Sequence, residues 1–217
     1  MTTMFRTMWQ TLGAATLALA LTGTAVMAQG KPTRIRGTIE AVAGGVYTIK
    51  TRSGDTVKVT LADKGRVSGI VKASLDDVKV DSYIGISAMP QPDGSQKAIH
   101  IHIFPAAMRG VAEGFRPWDN QPGATMTNAA VETKVAGKDG STLMMKYKGG
   151  EKKVIVPPGI PIVTYVPAKP DELKPGAKIM IVAAMKKPDG VYETRSISYG
   201  KDGVPGGTGE NADLTNH

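Results

Sequence analysis

His100 and His102 stand two residues apart in the run Ala98–Ile103, which alternates in the way a β-strand does. That spacing puts both imidazoles on one face, with Cβ atoms about 7 Å apart. Two imidazoles so placed could share a metal ion. Met89, across the Pro92-Asp93-Gly94 turn, could add a thioether suited to copper. The same pattern fits a plainer arrangement, with both histidines on the solvent face of a strand whose Ile99, Ile101 and Ile103 fill the core. That arrangement is the favoured one. Ser196 and Ser198 occupy the positions 96 residues later, and the remaining histidine is the terminal His217.

A second group with chemical potential lies in the segment Phe104 to Asn128. It carries Arg109, Phe115, Arg116 and Trp118, and two guanidinium groups beside two aromatic rings could form a cation-π or anion-binding surface. A bare flexible linker seldom carries a Trp. The rings are therefore expected to pin the segment into a groove, with Arg116 and Asp119 paired locally. The four methionines at 144, 145, 180 and 185 fall in predicted strands and read as plastic core filler.

Other chemistries are excluded by composition. The chain of 217 residues has no Cys, which removes disulfides, thiolate metal sites and cysteine nucleophiles. No nucleophile–base pair of a triad hydrolase stands out among so few histidines. No cofactor is implied, and the chain is read as non-enzymatic.

The elements that must hold these residues come from two sequence rhythms. Residues 12 to 26 are apolar or small, follow Arg6, and close on Val26-Met27-Ala28. This is the pattern of a secretory signal peptide at 1–28, cleaved after Ala28. It is too short for the roughly 20 residues a membrane span needs, and no later stretch approaches that length. The mature chain is expected to be periplasmic or secreted.

Beyond the leader the periodicity is two, broken by Gly-rich turns. Val57-Lys58-Val59-Thr60-Leu61 alternates strictly, and Gly44-Gly45 and Pro92-Asp93-Gly94 supply the positive φ of tight hairpins. The pattern recurs. Ala88-Met89 with Pro92-Asp93-Gly94 reappears 96 residues on as Ala184-Met185 with Pro188-Asp189-Gly190, and Asp76-Asp77-Val78-Lys79 lines up with Asp171-Glu172-Leu173-Lys174. The expectation is all-β: two tandem five-stranded OB-like barrels, at 33–104 and 125–200. Each would have a short helical turn between its third and fourth strands, capped in the first by Ser74. A docked connection at 105–124 joins them, and a Gly-rich disordered tail follows at 201–217. Each barrel alone is close to the size at which one core is marginal, so the two should pack together.

The runs RGTIEAV, YTIKTRSGDTVKVTL, SLDDVKVDSYIGI and AMPQPDG, echoed by MMKYKGGEKKVIV, DELKPGAKIMIV and AMKKPDG, resemble exported bacterial small-β-barrel domains of unknown function. The resemblance implies the fold and export, and brings no catalytic residues with it.

The formal charge of +8 bears on partners. Single-strand nucleic-acid binders stack bases on aromatics of the second and third strands. Here Tyr47 and Tyr147 lie on second strands, the third strands have no aromatic, and export removes the chain from cytoplasmic nucleic acid. An anionic envelope component or another exported protein is the expected partner, met through Arg109, Phe115, Arg116 and Trp118. Copper or zinc binding through His100, His102 and Met89 is the alternative, and an uncharacterised enzyme the third.

Overall fold

A computed structural model of the chain describes residues 31–137 and 140–204; the expected signal peptide and most of the expected tail lie outside them. The fold is all-β. Twelve strands follow in order: β1 Thr33–Ala43, β2 Val46–Thr51, β3 Thr56–Lys72, β4 Tyr83–Pro90, β5 Gln96–Ile103, β6 Gly114–Pro117, β7 Thr125–Gly137, β8 Gly140–Tyr147, β9 Gly150–Val156, β10 Ile162–Ala168, β11 Lys178–Lys186 and β12 Tyr192–Gly200. Single 3-10 turns sit at Leu75–Asp77, Ala106–Met108 and Pro170–Glu172. In the first of these the Asp77 carboxylate accepts from the backbone N–H of Ser74 at 2.7 Å and from its hydroxyl at 2.9 Å. No helix among the described residues is long and apolar enough to cross a membrane.

Strands β11, β1, β2, β3 and β12 pair in that order, and β12 pairs back onto β11, closing a five-stranded barrel. Gly44 and Gly45, at φ 55° and 78°, make the β1–β2 hairpin possible. Alternation fills the interior: Ile35, Ile39, Ile49, Val59, Ile181 and Ile197 point inward and are buried. Strands β5, β4, β7, β8 and β9 pair in sequence around a second core of Ile84, Ile86, Ile101, Val131, Leu143, Met145 and Val154. Their return contact, β5 to β9, is only Gln96 opposite Val154 and Lys97 opposite Ile155. Each fully buried Ile or Leu contributes about 1.5–3 kcal/mol.

The pairing differs from the expected division at 33–104 and 125–200. The first three strands close with the last two, and β4 and β5 pair in sequence with β7, β8 and β9. The cause is visible in β3. A strand expected to end at Leu61 continues for 17 residues, roughly 55 Å, past Lys64, whose φ of 57° kinks the strand without ending it. Its far half, Val67–Lys72, lies antiparallel to β10, with Lys72 opposite Val163 and Val67 opposite Ala168. That contact buries Ile70 and Val163 together and carries the chain from one core to the other. Strand β10 in turn runs parallel to β5, so the two strand groups form one continuous hydrogen-bonded sheet.

Candidate binding site at the Trp118 junction

The connecting segment forms strand β6, which lies along β7 with Phe115 opposite Thr127 and Arg116 opposite Met126. Beyond Pro117 the backbone N–H of Trp118 bonds the carbonyl of Ala124 at 2.8 Å, and this holds the intervening turn closed. Three consecutive residues in that turn join the two strand groups.

Trp118 carries the Arg34 guanidinium 4.2 Å from its ring centroid, with Arg36 at 5.5 Å and Arg116 at 5.6 Å. Asp119 accepts from Arg34 Nη1 at 2.8 Å and from Arg36 Nη2 at 2.9 Å. Asn120 donates from Nδ2 to the Ser87 hydroxyl of β4 at 3.0 Å. The segment is thus fixed to β1 on one side and to β4 on the other.

Arg34 and Arg36 reach Trp118 because they alternate with Ile35. Ile35 fills the closed barrel, so both guanidinium groups must leave by the outer face. Burial alone would raise the Asp119 carboxyl. The hydrogen bonds from Arg36 and Arg34 outweigh it and hold the group at about 2. Arg116 is lowered by burial and then by Arg34 beside it. Three guanidinium groups surround the Trp118 ring and two of them share one carboxylate, and the buried Arg34 Nε, Arg36 Nε and Trp118 Nε1 atoms have no hydrogen-bond partner. Beside them opens a groove of about 290 Å³, whose wall includes Arg34, Arg36, Arg52, Asp55, Asp119 and Tyr192. Guanidinium groups that line an open groove, as those of Arg34, Arg36 and Arg52 do, can take a carboxylate or phosphate oxygen.

Of the four residues expected to form the surface, the structure brings Arg116 and Trp118 together and places the other two elsewhere. Arg109 bonds the Asp81 carbonyl at 2.7 Å and the Asp81 carboxylate at 2.6 Å. Phe115, 39% exposed, lies under the Lys152 ammonium at 4.5 Å. The expected local pairing of Arg116 with Asp119 is replaced by the pairs from β1, while Arg116 Nη1 bonds the Ala112 carbonyl at 2.8 Å. Arg34 and Arg36 were missed. Their signal was the Arg-Ile-Arg alternation on a strand with an apolar inner face.

The two histidines do not face solvent. His100 is 4% exposed and His102 1%, so their expected solvent exposure is corrected, whereas Ile101 lies in the core and Ile103 packs against it as expected, with Ile99 half-buried. Both lie on the outer face of β5, opposite Ser87 and Gly85. Their rings are 4.5 Å apart, and Tyr165 of β10 covers His102 at 5.3 Å. Gly85 is required there: a Cβ would stand 2.8 Å from Asn128 Oδ1 and 3.0 Å from the Phe104 ring. Burial pushes His100 down to about 4. His102 falls well below its ordinary value through burial and the neighbouring His100. Met89 stands opposite Lys97 and turns its methyl group toward Gly123. Among the described residues, no three His, Cys, Asp or Glu side chains converge as a metal site.

The fold is compatible with a small β-barrel domain of the kind the sequence resembles. Comparison of the chain with protein-family models, curated proteins and solved structures finds no match.

Proposed function

We propose that this chain is a non-enzymatic exported protein that binds an anionic component of the cell envelope, with the Trp118 junction as its contact surface. The observation that carries the reading is the excess of guanidinium over carboxylate around one partly buried Trp, next to an open groove. Export rests on the leader at 1–28 and places the protein in the periplasm or outside the cell.

The architecture is read as a duplicated OB-like unit whose copies exchange strands. Supporting this, β12 runs parallel to β3 with Tyr192 opposite Val59, and β5 runs parallel to β9 with Gln96 opposite Val154. The two pairings are the same one displaced by 96 and 95 residues with the roles exchanged.

Titration of the protein with polygalacturonate, inorganic polyphosphate and phosphatidylglycerol vesicles at low salt tests the binding reading. At least one should bind, and Arg34→Gln with Arg36→Gln should weaken it at least tenfold, while Lys97→Gln on the far hairpin leaves it unchanged. Equal losses in both variants would show charge attraction without a site.

A second reading, copper or zinc binding, rests on the buried His100–His102 pair, whose two Nδ1 atoms lack partners. Calorimetric titration with each metal decides it. No heat at micromolar metal, or the same heat in a His100→Ala, His102→Ala variant, removes it.

A further inference from the structure

The groove beside Asp119 does not stop at Tyr192. A second recess of about 340 Å³ shares Val57 and Tyr192 with it and continues past Lys58 to Lys186 and Asp189. The two recesses adjoin at Val57 and Tyr192, both half-buried against the core of the closed barrel, and together make one trough. Lys186 holds its ammonium 5.8 Å from the Tyr192 ring.

The lining selects among anions. Arg34, Arg36 and Arg52 stand at one end, and Lys58 and Lys186 at the other. Between and beside them are three carboxylates: Asp55, held by the Ser53 hydroxyl at 2.8 Å; Asp119; and Asp189, which accepts from the Val191 N–H at 2.9 Å. Polyphosphate, more densely charged than a chain of acidic sugars and without hydroxyl groups, would be repelled more strongly by those carboxylates and would offer them no donors. A neutral polymer would leave the guanidinium groups unused. A lipid surface would need large apolar side chains at the rim, and the exposed ones, among them Val42, Val80, Val111 and Val135, line neither recess.

Resting on the reading of the junction as an anion site, we propose that the trough binds an acidic oligosaccharide, a chain of uronic-acid-type sugars laid across Tyr192. One carboxylate per ring meets Arg34, Arg36 and Arg52 at one end and Lys58 and Lys186 at the other. Sugar hydroxyls donate to Asp55 and Asp189, and an apolar ring face lies on Tyr192. The shared tyrosine fixes the length, because at least two sugars are needed to occupy both recesses.

Calorimetric titration with tetragalacturonate, its methyl ester, inorganic polyphosphate and phosphatidylglycerol vesicles tests this. The acid should bind at least tenfold tighter than its ester and than polyphosphate. Tyr192→Ala and Arg52→Gln should each weaken it about tenfold, with Tyr192→Phe close to the parent and an unchanged melting temperature as the folding control. Binding of polyphosphate or vesicles without tetragalacturonate overturns the saccharide and leaves the anion site standing. No binding by any probe overturns both. Equal affinity for acid and ester, or tight binding undisturbed by Tyr192→Ala and Arg52→Gln, removes the trough as the site.

Discussion

The outer face of β4, β5 and β7 and the outer face of β11, β12 and β1 occupy corresponding places in the two strand groups, yet they are built oppositely. On the first, the rings of Tyr83, Phe104, Tyr165, His102 and His100 follow one another at 5.6, 5.6, 5.3 and 4.5 Å. On the second, the positions 96 residues away from Phe104, Tyr165, His102 and His100 are Gly200, Gly69, Ser198 and Ser196. His100 is buried where Ser196 is exposed. The difference follows from what lies on top. The connection between β5 and β7 folds back as β6 and sends Asn120 to Ser87, which closes the ring-lined face. It meets the other face through Arg34 and Arg36 and leaves the adjoining trough open. One segment therefore seals one face and borders an open groove on the other.

The largest expected consequence is acid sensitivity that belongs to the sealed face. Burial holds His100 at about 4 against an ordinary 6.5, so between those values the unfolded chain binds the proton and the folded chain does not. The stability contributed by the neutral ring is whole above about 6.5, falls as pH drops, and is gone below about 4. That amounts to roughly 3 kcal/mol for His100 alone. Asp119 and Glu172, both held near 2 against ordinary values of 3.8 and 4.5, lose their contributions below those ordinary values, so their window begins where that of His100 ends. Urea unfolding at pH 7.5 and 4.5 measures the loss. A His100→Gln, His102→Gln variant should flatten it, whereas Ser196→His should titrate near 6.5 and leave stability within about 0.5 kcal/mol. Equal stability of the parent at both pH values would break the contrast between the faces.

The next effect is steric. Gly85→Ala drives a methyl group against Asn128 and Phe104 and should cost about 1–3 kcal/mol in denaturant unfolding. On the other face Met180 opposite Ser198 has a full side chain where Gly85 faces His102, so Met180→Leu should cost under about 1.5 kcal/mol. A neutral Gly85→Ala would mean that the sealed face is loosely packed.

The smallest effect falls at the staple. Asp119→Asn removes the negative charge and one of the two oxygens that accept from Arg34 and Arg36, but the carboxylate is half-exposed, so the loss should be about 1 kcal/mol or less. A double-mutant cycle with Arg36→Gln should return a coupling of that size, and zero coupling would detach Asp119 from β1.

Much of the strand content was legible, because alternation such as Val57-Lys58-Val59 and turns such as Gly44-Gly45 are local properties of the chain. Strands β6 and β10 were not. Gly114 and Pro117 bound a run of only four residues, and Pro167 interrupts the other; both are strands because of the neighbours they meet. Trp118 was legible as an anchor from its presence in a connection. Its partners Arg34 and Arg36 lie more than 80 residues earlier and only the fold brings them to it.

By itself the sequence determined that the chain is a string of short, half-buried strands separated by glycine-permitted turns, with a basic surface and one aromatic anchor between two similar stretches. Which strand lies beside which, and which outer face is covered, were decided by tertiary structure. The physical reason is that a strand's backbone donors and acceptors are satisfied equally well by many neighbours. Alternation specifies which face is apolar and leaves the partner open. The partner was set by contacts distant in sequence, such as Ile70 and Val163 packed where β3 meets β10, and Asn120 bonded to Ser87.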